Sequence, residues 1–391
     1  MEETFSGNKE SGIRNLEFIE PVRSPEMAAR EPEPGMALCL SGGGYRAMLF
    51  HTGALWRLNE LGLLPRLDRV SSVSGGSIAA GALACSWPTL HFNERGVSTD
   101  FAKLLVAPMR ALASRTIDIP SVLKGIFWFG SVAEHVAAAY RKLLFGRKTL
   151  QDLPDHPRFV FNATNMQSRV LWRFSKPYMG DYLVGRVFDP KIEIARAVAA
   201  SSAFPPVLSP VILRLDPKTF AAGSGELQQM PFTSRVVLTD GGVYDNLGLE
   251  TAWKRYKTIL VSDGGSETAV KPRPWINWIA QSVRVMMLMD NQVGSLRKRQ
   301  VIESFNLKLR TGAYWGIRSD IRNYRLADAL VCAHPDTLEI AATPTRLARM
   351  APEHQNRTID WGYAICDAAL RAHFLPSAEA PSSSPHGYFR R

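Results

Sequence analysis

The sequence predicts an α/β fold built on a mainly parallel central sheet, and two occurrences of one local pattern support this prediction. Each consists of a short apolar run, a small-residue turn and a helical pattern, at residues 36–40 with 45–63 and at residues 67–73 with 75–84. A helical crossover between consecutive strands places those strands parallel in one sheet. Two later apolar runs, Val236–Leu238 and Ile259–Val261, each lead into Asp-Gly-Gly. The centre of the protein is therefore expected to be a sheet covered by helices.

The other elements follow from periodicity and from the positions of turn residues. Arg158–Ala163 and Arg169–Phe174 are rich in apolar and aromatic residues on either side of a polar turn, which predicts paired strands. Helices are predicted from apolar spacing over Ile192–Ala200, Leu249–Tyr256, Trp275–Phe305 and Trp361–Phe374.

The length of 391 residues is compatible with one large domain, and no Pro/Gly/Ser-rich linker divides the chain. We expect a mobile N-terminal segment over residues 1–35, which mix charge, proline and glycine without periodicity. A single domain is expected over residues 36–375, with a motif-bearing core at 36–265 and a helical part at 275–375. The tail over residues 376–391 is rich in Ser, Pro and Ala, which predicts disorder.

The charge balance favours anionic partners. The chain carries 47 Lys and Arg against 36 Asp and Glu, a net charge of +11, which suits nucleic acid or an acidic lipid surface. Because no basic stretch is interleaved with aromatic residues, nucleic acid is not an expected partner. The oligomeric state does not follow from the sequence.

Cysteine spacing and the N-terminus constrain cofactors and location. The four cysteines, Cys39, Cys85, Cys332 and Cys366, are widely separated and lack the spacing of a metal site. Buried free thiols are expected, with no metal or other cofactor. The first residues lack the basic and apolar regions of a secretory signal, which predicts a cytoplasmic protein or one peripheral at the membrane. Three prolines interrupt the uncharged run 197–213, so no transmembrane helix is predicted.

Ser74 is the candidate nucleophile. It lies in Ser72-Val73-Ser74-Gly75-Gly76, between a strand-like and a helix-like run. A sharp strand-to-helix turn of this kind exposes a hydroxyl, as in the Gly-x-Ser-x-Gly nucleophile elbow. The following helix offers unpaired N–H groups and the positive end of its dipole, which favour an alkoxide. A strand, turn and helix without chemistry is the alternative.

Gly42, Gly43 and Gly44 form a second candidate element. Three residues without a Cβ let backbone N–H groups turn toward one point, as a developing oxyanion requires. The run from Gly42 to Ala47 also fits a dinucleotide-binding fingerprint. That fingerprint requires an acidic residue at the end of the second strand, and this strand ends in Ser-Val-Ser. The loop therefore favours an oxyanion site, with a dinucleotide-binding oxidoreductase as the alternative.

Asp240 is the candidate general base. It follows Val236–Leu238 and is expected at the carboxyl end of a strand, where open α/β sheets place their ligand crevice. Its carboxylate can accept the serine proton directly. Asp263 has the same local sequence and is the rival carboxylate, and His51 is the histidine nearest to the glycine loop. Because His51 falls within an apolar helical pattern, it is expected to be a packed residue rather than a third catalytic group.

At these positions the chain resembles the patatin-like phospholipase family. The similarity covers roughly residues 36–265 and is carried by four motifs in the family's order. They are the glycine loop through Arg46, the serine motif around Ser74, Ala199–Pro206 and Asp240-Gly241-Gly242. The resemblance implies a three-layer α/β/α patatin-like fold for the domain 36–375.

The resemblance also implies a chemistry. It assigns a Ser-Asp dyad in which Ser74 is the nucleophile and Asp240 the base, and it places the oxyanion hole on the amides of Gly42, Gly43 and Gly44. The reaction that it implies is hydrolysis of fatty acyl esters of phospholipids or lysophospholipids, without a metal or other cofactor.

Two positions depart from the family's pattern. Ser72 stands where the family usually has glycine, and Ala47 stands where glycine often follows the basic residue. Neither departure removes a reacting group, but both leave open a non-catalytic lipid-surface binding protein. Arg46 is a candidate for binding a lipid phosphate or for steadying the loop, and an exposed arginine with neither role is the alternative.

A lipid hydrolase works where its substrate packs, at a membrane or micelle. The segment 122–146 concentrates aromatic residues beside Lys124 and ends in basic residues, which suits a membrane-facing cap. An ordinary core helix is the alternative. The run Arg297-Lys298-Arg299 is expected to be a solvated helix face that favours anionic headgroups.

Overall fold

The protein is described by a computed structural model over residues 31–118, 132–205, 207–265, 270–274 and 276–391. Residues 1–30 of the expected mobile segment 1–35 therefore lie outside the described residues. Residues 122–131 of the proposed cap 122–146 also lie outside them.

One sheet runs through the described structure, with its strands numbered here in chain order. They are β1 (Glu33–Leu40), β2 (Arg69–Ser72), β3 (Arg158–Asn165), β4 (Leu171–Phe174), β5 (Tyr178–Asp181), β6 (Gly185–Phe188), β7 (Val211–Arg214), β8 (Arg235–Asp240), β9 (Tyr256–Asp263) and β10 (Thr311–Gly316).

Helices connect the strands and cover both faces of the sheet. They are α1 (Gly44–Glu60), α2 (Gly75–Ser86), α3 (Ala107–Ala113), α4 (Val132–Tyr140), α5 (Ile194–Ser201), α6 (Gly242–Asp245), α7 (Glu250–Trp253), α8 (Trp278–Asn306), α9 (His334–Ala341) and α10 (Pro352–His373).

The sheet has a parallel centre and an antiparallel extension. Strands β10, β9, β1, β2 and β3 lie side by side and parallel, as the two strand-turn-helix patterns predict. From β3 outward the order continues through β4, β5 and β6 with antiparallel pairing, and β7 and β8 form a second antiparallel branch on β3. The predicted β3–β4 pair is present. Strands β5, β6 and β7 were not predicted, because each is only four residues long and carries little periodic signal, whereas β8 contains the predicted run Val236–Leu238.

Alternate residues of the central strands pack on opposite faces, which builds the three layers. In β1, Leu38 and Leu40 belong to the large core beneath α1, α2 and α10, whereas Ala37 and Cys39 face a smaller core. That second core includes Val261 from β9, and it is closed by residues of α7 and α8. The three-layer α/β/α arrangement matches the fold expected from the sequence.

Two strands meet end to end beside the first glycine motifs. Ser72 at the end of β2 pairs with Phe161 of β3, while Asp240 at the end of β8 pairs with Ala163 two residues farther along β3. Since β4 occupies the other edge of this part of β3, β2 and β8 share one edge and point toward each other. The carboxyl ends of two strands thus converge on one spot.

The C-terminal residues correct one expectation from the sequence. The segment 376–391 was predicted to be disordered, but Ser384 and Phe389 in it are buried. The fully buried carboxylate of Asp360 on α10 accepts hydrogen bonds from the Ser384 hydroxyl at 2.6 Å and from the backbone N–H of His386 at 3.1 Å. The Ser- and Pro-rich composition of this segment does not show that a buried carboxylate far away in the sequence holds it in place.

None of the helices in the described ranges is long and apolar enough to cross a membrane.

Candidate active site

Ser74 lies in the strained turn between β2 and α2. Its backbone has φ 52° and ψ −119°, a region that non-glycine residues rarely occupy. The N–H of Ser74 donates to the carbonyl of Ser201 at 3.1 Å, which holds the turn against the end of α5. Such a conformation persists only where its surroundings enforce it, and it is the geometry of a nucleophile elbow.

Small residues let the elbow and the glycine loop touch. A Cβ on Gly75 would overlap the carbonyl oxygen of Gly44, and a Cβ on Gly42 would lie 3.1 Å from the Ser74 Cβ. A Cβ on Gly76 would lie 2.6 Å from the carbonyl oxygen of Ser41. The glycine loop therefore lies directly against the candidate nucleophile.

The serine at position 72 is accommodated by a buried cluster of hydroxyls. Ser77 donates to the Ser72 hydroxyl at 3.0 Å and lies 2.8 Å from the Ser201 hydroxyl. Ser201 in turn donates to the carbonyl of Asn162 at 2.6 Å. The serine at position 72 thus adds a hydrogen bond beneath the elbow.

Asp240 reaches the same spot from β8 and is almost completely buried. One oxygen, Oδ1, accepts the N–H of Gly242 at 2.7 Å. The Ser74 hydroxyl is close enough to lower the pKa of Asp240 as a hydrogen-bond donor, but Oδ2 lacks a partner of full hydrogen-bond geometry among the described residues. The hydroxyl and the carboxylate are neighbours whose hydrogen bond is not fully formed in this conformation, as is common in substrate-free sites.

Burial makes Asp240 a weaker acid than an ordinary aspartic acid. Removal of the carboxylate from water raises the pKa of Asp240 to about 7, and the negative charge of Asp290 on α8 adds to this effect. The hydrogen bonds from Gly242 and Ser74 lower the pKa of Asp240, but by less than burial raises it. A carboxyl group with a pKa near neutrality is well matched to general-base catalysis.

The rival carboxylate has other partners. Asp263 pairs with Lys298 at 2.8 Å and accepts the Tyr314 hydroxyl at 2.7 Å. These partners hold the pKa of Asp263 below its usual value despite burial. A carboxylate committed to an ammonium and a phenol is a structural group here, and the hydroxyl of Ser74 is not among its partners.

His51 is a packed core residue, as expected. It is fully buried, with Nε2 2.9 Å from the carbonyl of Ser41 and Nδ1 2.8 Å from the Ser262 hydroxyl. The carbonyl can only accept, so Nε2 carries the proton and Nδ1 accepts from Ser262. Burial lowers the pKa of His51 to about 4, which keeps the ring neutral.

The glycine loop differs from the expectation at one amide. The N–H of Gly42 donates to the carbonyl of Asn246 at 3.0 Å, so it is occupied within the protein and is not directed at a ligand. In the part of the chain that the structure describes, no hydrogen bond is recorded for the N–H groups of Gly43, Gly44 or Gly75. Gly43 and Gly44 have φ values of 140° and 61°, which only glycine adopts without strain. The N–H groups of Gly43 and Gly44 therefore stay available, the N–H of Gly42 does not, and the N–H of Gly75 in the elbow adds a third donor.

Arg46 is buried and fits only one of its two predicted roles. It was a candidate for binding a lipid phosphate or for steadying the loop, with an exposed side chain as the alternative, and only 1% of it is exposed. Its Nε and Nη2 donate to the carbonyl of Gly264 at 3.2 and 3.1 Å, and Nη1 donates to the carbonyl of Thr343. All three nitrogens are used inside the protein, so Arg46 steadies the loop.

Three residues around the site carry structural roles that sequence reasoning missed. Asn246 caps the Gly42 amide, Ser201 anchors the elbow, and the backbone of Arg346 lies against Gly44. Ser201 lies within one of the family motifs, which marked the segment but not its function. Arg346 is far away in sequence, and nothing local indicates its contact.

Exposed apolar side chains lie close to Asp240 in the chain or follow one of its hydrogen-bond partners. Phe204 follows Ala203, whose carbonyl accepts the N–H of Asp240 at 3.0 Å, and Val243 lies three residues after Asp240. Both side chains are exposed, as is that of Val207. Such side chains suit an acyl chain better than a polar substrate.

Two cavities lie elsewhere. One of about 610 Å³ lies between β10 and the end of α8, and one of about 820 Å³ lies between α1 and the C-terminal segment. Neither is lined by Ser74 or Asp240, so neither is placed to hold a reacting acyl group.

The described geometry can support acyl transfer. It combines a hydroxyl on a strained turn, a buried carboxyl with a near-neutral pKa beside it, and unpaired backbone donors across from it. These are the three components that a serine hydrolase requires.

Solved structures resemble this chain only at low sequence identity. Comparison with curated protein sequences gives no significant match. Among solved structures, human GIVD cytosolic phospholipase A2 bound to methyl gamma-linolenyl fluorophosphonate has a TM-score of 0.46 at 13% identity, and the match covers 88% of this chain and 59% of that one. VipD from Legionella pneumophila has a TM-score of 0.35 at 15% identity, with coverages of 88% and 68%. The type III effector ExoU has a TM-score of 0.33 at 14% identity, with coverages of 88% and 54%.

A family model supplies the assignment. The model described as patatin-like phospholipase matches residues 38–253, more than half of the 391 residues. The matched range contains the glycine loop, the elbow and Asp240. The chain belongs to the patatin-like phospholipase family.

Proposed function

We propose that the protein is a serine acyl hydrolase that cleaves fatty acyl esters of phospholipids or lysophospholipids with the dyad of Ser74 and Asp240. The observation that carries the proposal is the convergence of β2 and β8. It sets a strained serine beside a buried carboxyl whose Oδ2 has no other described partner.

In the first step, Asp240 accepts the proton of the Ser74 hydroxyl as its oxygen attacks the acyl carbonyl. The amides of Gly43, Gly44 and Gly75 supply the donors for the tetrahedral oxyanion, and one such donor typically contributes about 10²–10³ in turnover. Proton transfer from Asp240 to the leaving alcohol then releases the lysolipid or glycerophosphoester and leaves an acyl-serine ester.

In the second step, water attacks the acyl-serine ester. Asp240 takes a proton from this water, the same amides hold the second oxyanion, and the fatty acid leaves as Ser74 regains its proton. Both steps use one carboxyl group as base and then as acid. A pKa near the working pH suits that double role.

The test is product analysis by mass spectrometry with mixed phospholipid and lysophospholipid micelles. We expect Ser74→Ala and Asp240→Asn each to reduce fatty acid release by at least about 10³-fold. Asp240→Asn keeps the oxygen that accepts the Gly242 amide, so the fold is expected to survive.

Asp263→Asn is the matched control, because Asp263 occupies the same Asp-Gly-Gly sequence. It is expected to retain activity. Full activity in Asp240→Asn together with its loss in Asp263→Asn would reverse the assignment of the base. Lipid binding by the wild type without release of any product would favour the non-catalytic lipid-surface protein.

A further inference from the structure

The outer face of α8 is apolar, the reverse of an ordinary surface helix. Trp278, Val285, Met289 and Leu296 fall within about 40° of one another around the helix axis at 100° per residue. Trp278 is 77% exposed, Met289 64% and Leu296 58%, while Val301 on the opposite side is fully buried. We name these four residues the α8 stripe. A surface helix normally turns such a stripe inward.

The α8 stripe is long and straight. From Trp278 to Leu296 it extends about 27 Å at 1.5 Å per residue. Leu288 and Val293 flank it and are also exposed. A linear array of this length fits a flat apolar layer better than a compact pocket, and a tryptophan at one end is typical of helices that lie at a lipid–water interface.

The charges beside the stripe indicate which flat surface it meets. Between Trp278 and Gln300 the helix carries four basic residues, Arg284, Arg297, Lys298 and Arg299, and one acidic residue, Asp290. Arg297 and Lys298 pair with Glu250 and Asp263 of the protein, and Arg299 is exposed next to the stripe. Together with the net charge of +11, this favours an anionic surface.

Helix α8, which carries the stripe, lies close to the candidate site. Helix α8 packs beside α6, which begins two residues after Asp240. Asp290 on α8 is near enough for its charge to raise the pKa of Asp240. Val243 on α6 is exposed as well. The stripe therefore belongs to a helix that borders the site.

We propose that the α8 stripe seats the protein on an anionic phospholipid bilayer and so presents the Ser74 site to lipid in that layer. This inference rests on the proposed function for its substrate, but vesicle binding can be measured without hydrolysis. The apolar side chains enter the interface, and Arg299 meets the headgroups.

The test uses full-length protein and two kinds of vesicle, phosphatidylcholine alone and phosphatidylcholine with 30 mol% phosphatidylserine. The variant is Met289→Ser with Leu296→Ser. The matched control is Phe188→Ser with Val331→Ser, which removes side chains that are 56% and 73% exposed at positions outside α8. Binding is measured by co-sedimentation, and activity is measured on both the vesicle lipid and a soluble short-chain ester.

We expect the α8 variant to bind the anionic vesicles at least tenfold more weakly and to lose vesicle-lipid hydrolysis by a similar factor. Its hydrolysis of the soluble ester is expected to stay within twofold of wild type, which also shows that it is folded. Arg299→Gln is expected to weaken binding several-fold only when phosphatidylserine is present. The control is expected to behave as wild type.

Unchanged vesicle binding in the α8 variant would overturn the inference. So would a wild-type dimer that this variant converts to a monomer without a change in vesicle binding, because the stripe would then be a contact with a second copy. If the wild type hydrolyses neither substrate but its vesicle binding still depends on the stripe, the proposed function fails and the docking surface stands.

Discussion

At the scale of single residues, one carboxyl group combines the proposed role of general base with a cost in stability. Asp240 is buried, and its pKa is raised to about 7, whereas in the unfolded chain it has the ordinary value near 3.8. The folded protein therefore holds a proton there that the unfolded chain releases. This makes the site responsive to pH in two measurable ways.

The first prediction concerns the rate. Only the ionised form of Asp240 can accept the Ser74 proton, so kcat/KM for a soluble ester is expected to rise with pH up to about 7 and to level off above it. A pH–rate profile of the wild type measures this. A profile that is flat from pH 5 to 8 would contradict the role given to Asp240.

The second prediction concerns stability. A folded-state pKa above the unfolded value means that the contribution of Asp240 is intact below about pH 4 and declines until the pH passes about 7. Asp240→Asn is therefore expected to be more stable than wild type at pH 8, by on the order of 1 kcal/mol or more, because one pKa unit corresponds to about 1.4 kcal/mol. The difference is expected to shrink toward pH 4. Urea denaturation at both pH values measures it, and a variant less stable at pH 8 than at pH 4, relative to wild type, would contradict it.

The sequence predicted these residues unevenly. Ser74 and Asp240 were identified because each lies in a short motif, and the structure brings them together. The use of the Gly42 amide by Asn246 and the burial of Arg46 were not predictable, because both depend on segments far away in the chain. A local motif indicates which residues are available and not which of their hydrogen bonds are already made.

At the scale of elements, the site depends on two strands that approach each other along one edge of β3. The prediction that Asp240 ends a strand was right, but the sheet is antiparallel there and not parallel. Strand direction is set by pairing between distant segments, which hydrophobic periodicity does not encode. At the point where β2 and β8 approach each other, the elbow and the glycine loop are in contact, and no side chain fits between them.

The third prediction tests that contact. Gly75→Ala would drive a methyl group into the carbonyl oxygen of Gly44, so it is expected to reduce ester hydrolysis by at least tenfold and to destabilise the fold. Gly294→Ala is the matched control, because it lies in α8 and, apart from the helix's own backbone and its chain neighbours, no atom of the described residues lies within 4 Å of the added methyl. The control is expected to keep activity and to gain up to about 1 kcal/mol of helix stability. Equal behaviour of the two variants in activity and thermal denaturation would contradict the contact.

At the scale of the whole molecule, the C-terminal segment completes the domain. Asp360 has no exposure, and its four described hydrogen-bonding partners all come from Ser384, His386 and Tyr388. The segment that the sequence indicated as a disordered tail is therefore a structural part of the helical layer around α10. Composition alone favoured disorder, because the tail has few apolar residues. Composition does not show that the tail donates hydrogen bonds to a buried carboxylate elsewhere in the chain.

The fourth prediction follows from this anchoring. Removal of residues 382–391 takes away these hydrogen-bond donors and the buried side chain of Phe389, which is expected to reduce the free energy of unfolding by about 3–5 kcal/mol. Asp360→Asn is expected to have a smaller effect in the same direction, and Asp100→Asn, at an exposed position, is expected to have almost none. Thermal denaturation of the three variants measures this. A truncated chain as stable as wild type would show that the segment is dispensable.

The most direct test of the account is covalent labelling with a fluorophosphonate, followed by peptide mass spectrometry to locate the adduct. We predict a single phosphonylated residue, Ser74, formed in wild type and Asp263→Asn, slowed at least about 10²-fold in Asp240→Asn and absent in Ser74→Ala. An adduct on another serine, or full-rate labelling of Ser74 when Asp240 is asparagine, would contradict the dyad.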